Sequence, residues 1–201
     1  YGAYVKTMYP LEYYEVFLNL LMEREEKDRA NKTKQEAFDG FGIRIEQFRF
    51  RQDNRQFTAV PEHNTLTDSL QSIKGFGVKV AEDLYSLRDN HYDSFIDLLV
   101  DLQSTSVNKT QIENLITLNY FEEFGKNEKL LGVFEYFKRF NGIAQIKIDD
   151  IKKYGVPESM IKKYSGKKTA KLYKDIDTRG ILNEIITMLP DKSLDVKTQS
   201  I

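Results

Sequence analysis

The sequence predicts a mainly α-helical protein with one short β element. Apolar residues recur at three- and four-residue spacing from Pro10 onward, a Gly-x-Gly turn at 75–77 joins two such runs, and alternation is confined to 43–50. Pro10 suits the first turn of a helix, where its missing N–H costs nothing. Leu11, Tyr14, Leu18 and Leu21 then form one stripe, widened by Phe17 and Leu20. A second helix is expected over Asp28–Phe38, closed by Gly40 and Gly42. Ile43 and Ile45 alternate, then Phe48 and Phe50 in the opposite phase, which predicts a bulged strand or two extended pieces. Residues 51–65 are polar, contain Pro61 and read as a loop. Short helices follow at about 66–72, 78–88, 93–103, 109–118 and 126–140, with Asn141-Gly142 as a C-terminal cap. From Ile143 a helical tail or linker is expected. It carries eight lysines against Glu158 alone between Lys152 and Lys174, and a last amphipathic helix stopped by Pro190.

Composition narrows the function classes. The chain has 201 residues, 40% hydrophobic and 30% charged, enough for one modest core or two small ones. Thirty basic residues against 31 acidic ones leave net charge silent about nucleic acid, so local pattern must decide. There is no cysteine, which excludes disulfides and thiolate metal sites. His63 and His91 stand in polar, turn-like surroundings and are not expected to bind metal or act as bases. No apolar run approaches the roughly 18 residues needed to span a membrane. The chain opens at Tyr1 inside an aromatic segment, as a piece of a longer protein would.

The segment Leu70–Leu84 has the form of a helix-hairpin-helix. Gly75 and Gly77 flank Phe76, so the turn can take positive φ with no side chain near the backbone. Its amides, and those of the helix starting at Val78, can then point outward together toward a phosphate, helped by the helix dipole. Lys74 and Lys79 add charge. Phe76 is expected to point inward against Ile73, Ala81 and Leu84. Such a contact reads the backbone and not the bases, so binding should be sequence-independent and salt-sensitive. The bland alternative is a plain helical corner. A degenerate second copy runs from helix 93–103 through Ser104–Thr110 into the next helix. It lacks the glycines; Asn108 or Thr110 could cap the helix and Lys109 could meet a phosphate.

Several blocks in order resemble the alpha subunit of bacterial DNA polymerase III. Tyr1-Gly-Ala3-Tyr4-Val5-Lys6 with Tyr9-Pro10-Leu-Glu12-Tyr13 is similar to the late fingers of that family. Ile73-Lys74-Gly75-Phe76-Gly77 matches its Ile-Lys-Gly-x-Gly, and Phe95-Ile-Asp97-Leu98 matches more loosely. Asn108-Lys109-Thr-Gln-Ile112-Glu113-Asn-Leu115-Ile116 follows closely, and Asn119–Gly125 stands where the family has Gly-Ala-Phe-Asp-x-(Phe/Leu)-Gly. Asn119 replaces a glycine but tolerates the left-handed conformation. The family's Pro-Pro-Asp segment is absent, the chain after about 140 resembles nothing placed here, and no Gln-x-x-Leu-Phe clamp-binding motif is found. That divergence suits a phage-like member.

The resemblance implies 1–65 as the C-terminal part of the fingers and 66–140 as a tandem helix-hairpin-helix domain; 141–201 stays, on its own composition, a Lys-rich helical tail or linker. It implies a cytoplasmic replication enzyme that binds duplex primer-template DNA, meets the sliding clamp and replisome subunits through the full-length protein, and does not touch a membrane. Lys74, Gly75, Phe76, Gly77, Lys79, Asn108, Lys109 and Thr110 are the expected DNA-binding residues, with Tyr4 and Lys6 as fingers candidates. No catalytic or metal residue is assigned; the two Mg ions belong to palm aspartates outside this piece, which alone should be inactive. Adjacent Asp149 and Asp150 read as helix-start caps. The open alternatives are a stand-alone helix-hairpin-helix accessory module for binding or repair, and a helical protein–protein adaptor.

Overall fold

The computed structural model describes residues 1–195. The chain is mainly α with small sheets, and divides into two compact units: residues 1–91 with 103–112, and residues 92–102 with the chain from 113 onward.

In the first unit, α1 (Gly2–Met8), not anticipated from the sequence, leads into α2 (Pro10–Glu23), with Pro10 in its first turn. Leu11, Tyr14, Leu18 and Leu21 form its buried stripe, meeting Ala30 and Ala37 of α3 (Lys27–Phe41). Each large apolar side chain so buried stabilises by about 1.5–3 kcal/mol. α3 ends on Gly42 at φ 64, as its C-terminal cap.

A three-stranded sheet follows, and it corrects the expected loop over 51–65. β1 (Arg44–Glu46) runs parallel to β3 (Thr65–Thr67), and β2 (Thr58–Val60) runs antiparallel to it. Leu66 lies between Ile45 and Ala59 and is fully buried. The chain before β2 is held by Asn19 of α2, whose amide donates to the Phe57 carbonyl and accepts from the Phe57 N–H, both at 2.8 Å. The helix expected over 66–72 is instead the end of β3 and a 3₁₀ turn at Leu70–Ser72. Asp68 explains the break: its carboxylate holds Lys34 of α3 at 2.8 Å and accepts from the Ser69 N–H and Ser72 Oγ. α4 (Val78–Ser86) completes the unit's helices before the chain returns at 103–112.

The second unit holds α5 (Phe95–Leu102), the latter half of α6 (Lys109–Thr117), and α7 (Asn127–Phe140). Phe95, Phe121, Leu130, Phe134, Phe137 and Phe140 are buried there. Asn119 sits at φ 60, the left-handed turn expected of it. The tail departs from the helical expectation. β4 (Gln145–Lys147), β5 (Ser165–Lys168) and β6 (Leu172–Ile176) form an antiparallel sheet in the order β4-β6-β5. Beside it lie a 3₁₀ helix at Ile148–Tyr154, α8 (Glu158–Lys163) and α9 (Thr178–Met188). Ile146 and Tyr173 face each other across the strands and are buried. Asp175, at φ 53, resets the strand's phase so that Ile176 is buried as well. Among the described residues no helix is long and apolar enough to cross a membrane.

Candidate nucleic-acid interface

The first hairpin turn is built from backbone preferences. Ser69 starts the 3₁₀ turn, its hydroxyl accepting from the Gln71 N–H at 3.2 Å. Gly75 takes φ +84, which any other residue would adopt at a cost, and the Phe76 N–H folds back to the Ile73 carbonyl at 3.1 Å. Phe76 is buried, as are Ala81 and Leu84, while Ile73 is half-buried. Gly77 departs from expectation. It is extended, at φ −118 and ψ −179, so only one of the two glycines is required for positive φ. A Cβ at either position would meet nothing within 4 Å, so the outer side of the turn is open.

Gly77 is the residue before α4, and no side chain caps that helix. The N–H groups of its first turn therefore have no intrahelical acceptor and point out of the turn with the positive end of the dipole. Lys74, Gly75, Gly77, Val78 and Lys79 are all exposed around them. Lys79 is partly committed, its ammonium lying 2.8 Å from Asp83 one helical turn on.

The carbonyl side of the same turn is held by Lys27, a residue the sequence reading did not single out. Its ammonium donates to the carbonyls of Ile73 at 2.7 Å and Phe76 at 2.8 Å. Burial holds the pKa of Lys27 below the ordinary lysine value. With these acceptors satisfied inward, the uncapped first-turn amides of α4 are the donors left without a partner among the described residues. No local motif marks Lys27, because its partners lie 46 and 49 residues away in sequence.

The second turn is fastened to the first by two tethers inside one unit. Asp83 accepts from the Ser106 N–H at 2.8 Å and the Ser106 hydroxyl at 2.6 Å. Together with Lys79, these donors lower the Asp83 pKa to about 2. Asn108 and Gln111 make a reciprocal cap: Asn108 Oδ1 accepts from the Gln111 N–H, and Gln111 Oε1 from the Asn108 N–H, each at 2.9 Å. Gln111 then spends its amide N–H on the Gly75 carbonyl at 2.8 Å. Asn108 thus serves as the cap that the sequence allowed. Lys109 and Thr110 are exposed at the start of α6, beside that cap. Sequence reasoning missed the role of Gln111, although Asn-x-x-Gln before an apolar run is a capping-box signature.

Tyr4 and Lys6 stand apart from this arrangement on α1. Tyr4 is 60% exposed. The Lys6 ammonium is ion-paired with Glu36 of α3, which raises its pKa, and lies 5.7 and 5.4 Å from the ring centres of Tyr13 and Tyr14. Asp149 and Asp150 open the 3₁₀ helix, and Asp150 pairs with Lys153. Among the described residues no group of three or more His, Cys, Asp or Glu could hold a metal ion.

Residues 42–131 match the family model described as helix-hairpin-helix motif. The DNA polymerase III subunit alpha of Bacillus subtilis (strain 168) is 32% identical over 130 residues, 64% of this chain and 11% of the relative. That of Campylobacter jejuni is 26% identical over 134 residues, again 64% of this chain and 11% of the relative. The chain therefore spans about a tenth of the length of these relatives. Its helix-hairpin-helix region is similar to the corresponding part of DNA polymerase III alpha subunits.

Proposed function

We propose that the paired turns at 74–79 and 106–111 hold duplex DNA by its phosphates, independently of base sequence, as a DNA-gripping part of a polymerase III alpha-type replicative enzyme. The observation that carries this is the asymmetry of the first turn. Its carbonyls at 73, 75 and 76 are bound by Lys27 and Gln111, while the first-turn amides of α4 are uncapped and lie beside the Cβ-free surface of two glycines. Two anionic oxygens can approach such amides as a phosphate does. Lys74 supplies an exposed cation next to them, and Lys109 with the first amides of α6 supplies the second contact. Asn108 acts by holding α6 in place.

The contribution is residence on the primer-template, with no chemistry. Nucleotidyl transfer, its two Mg ions, the sliding clamp and other replisome partners are assigned to the rest of such an enzyme, and Tyr4 and Lys6 to packing of the fingers. The test is titration of labelled duplex and single-stranded DNA with this chain at two salt concentrations. Tighter, sequence-independent binding to duplex that weakens steeply with salt is expected. Absence of binding at low salt would remove the hairpins as the DNA grip and favour a protein-binding adaptor.

A further inference from the structure

Part of the Lys-rich tail folds into a sheet with two unlike faces. Residues directly opposite each other in an antiparallel pair share a face, and successive residues alternate. Ile146 and Tyr173 are opposite and buried, which makes theirs the inner face. Gln145, Lys174 and Lys167 are opposite one another across all three strands and make a row on the outer face, with Lys147 two residues from Gln145 on the same side. Gln145, Lys147 and Lys167 are exposed and Lys174 is half-buried. Lys171 is exposed at the turn between β5 and β6.

Lys167 directly opposite Lys174 is a like-charge pair, which weakens a sheet. Among the described residues neither lysine has a carboxylate in direct ion pairing, although Asp175 follows Lys174 on β6 and lies against Gly166, beside Lys167. Asp150 is taken by Lys153, and Glu158 accepts from Lys168 at 3.5 Å and from the Tyr173 hydroxyl at 2.6 Å. Among the described residues no carboxylate is ion-paired with Lys147, Lys167, Lys171 or Lys174. A row of cations without a direct ion pair, two of them directly opposite each other, points to an anionic ligand.

We propose that the outward face of the β4-β6-β5 sheet is a second phosphate-binding surface, taking the backbone of duplex DNA through Lys147, Lys167 and Lys174. It offers no exposed aromatic ring on which an unpaired base could stack, so a single strand gains nothing there beyond charge. It also presents no large exposed apolar side chain to enter a lipid surface. The proposal goes beyond the hairpin reading, since these residues lie outside the segment matched by the helix-hairpin-helix family.

The test is fluorescence anisotropy of the full chain on a mixed-sequence duplex of about 20 base pairs, from roughly 50 to 200 mM salt. Lys167→Gln with Lys174→Gln should weaken binding about 3- to 30-fold at the low end and flatten the slope of log K against log salt by roughly 1–2. Lys174→Glu creates an opposite-charge cross-strand pair, so it should weaken binding while the melting temperature holds or rises. Lys152→Gln with Lys162→Gln removes the same charge from exposed positions off the sheet and should do clearly less. An unchanged slope in the sheet variants, or an equal loss in the off-sheet control, overturns the proposal. So does a loss seen only on single strands, or equal competition by phosphatidylglycerol vesicles. Lys74→Glu measured in parallel separates the two sites: if it alone weakens binding, the sheet proposal falls and the hairpin grip stands.

Discussion

Gln111 donates from its side-chain amide to the Gly75 carbonyl at 2.8 Å while its own N–H and Oε1 are engaged by Asn108. One buried side chain thus caps α6 and fixes the first hairpin turn against the second. Gln111→Ala should lose both roles and destabilise by about 1–3 kcal/mol, as expected for buried polar groups left without partners. Gln111→Glu keeps the acceptor toward Asn108 but replaces the donor by a carboxylate beside a carbonyl oxygen. It should retain α6 and lose the tether, so duplex affinity falls more than helicity. Circular dichroism and DNA titration on both variants check this; equal binding by all three proteins would show that the turns work separately.

The two hairpin glycines should answer differently. Gly75 is at φ +84, so Gly75→Ala meets the left-handed penalty of about 1–2 kcal/mol in stability. Gly77 is extended with open space around it, so Gly77→Ala should fold with near wild-type stability. Its new methyl group would stand on the face through which a phosphate approaches, and binding should weaken several-fold. Chemical denaturation beside anisotropy separates the two. Full binding by Gly77→Ala would mean that the ligand does not approach on that side.

That contrast shows what was legible in the chain and what was not. The Gly-x-Gly turn and the helices 78–86, 109–117 and 127–140 follow from local periodicity and turn chemistry, and the structure places them within a few residues of expectation. Which glycine needs positive φ was not legible, because it depends on where the turn's carbonyls go, and those are set by Lys27 and Gln111 from distant positions. β2 and β3 were hidden for a related reason. Each has three residues, and distant partners hold them: Leu66 is buried between Ile45 and Ala59, and Asn19 grips Phe57. The tail sheet was masked by its lysines, since charged residues are poor strand signals and Asp175 breaks the alternation of β6.

Lys27 should matter for the turn without touching a ligand. Lys27→Met keeps the aliphatic stem but leaves the Phe76 carbonyl without its donor and the Ile73 carbonyl with the Phe76 N–H alone. A loss of about 1–3 kcal/mol is expected. Amide hydrogen exchange should show faster protection loss at Phe76 than in α2. Wild-type stability and protection in this variant would mean that water replaces the ammonium at no cost.

The cations at the hairpin should not be equivalent. Lys79 shares its charge with Asp83, whereas Lys74 is exposed next to the uncapped amides. Lys74→Gln should therefore flatten the salt dependence by nearly one phosphate contact, about 0.9 in the log–log slope, and Lys79→Gln by less. The loss should be uniform across DNA sequences. A sequence-dependent loss would mean that Lys74 reads a base edge.

Asp83 makes the tether to Ser106 sensitive to acid. Its pKa lies at about 2 in the folded protein, against an ordinary value of 3.8, because Lys79 and both donors of Ser106 favour the carboxylate. A depressed folded-state pKa contributes stability that is complete above the unfolded value and is lost as pH falls toward the folded one. The contribution should therefore be present above about pH 4 and disappear between about pH 4 and pH 2. Asp83→Asn cannot titrate and cannot accept as a carboxylate, so it should be less stable than wild type at neutral pH. The difference between the two proteins should close as acid is added. Thermal denaturation of both across this range measures the gap; a gap that stayed constant from neutrality to pH 2 would show that Asp83 is not charged by this arrangement.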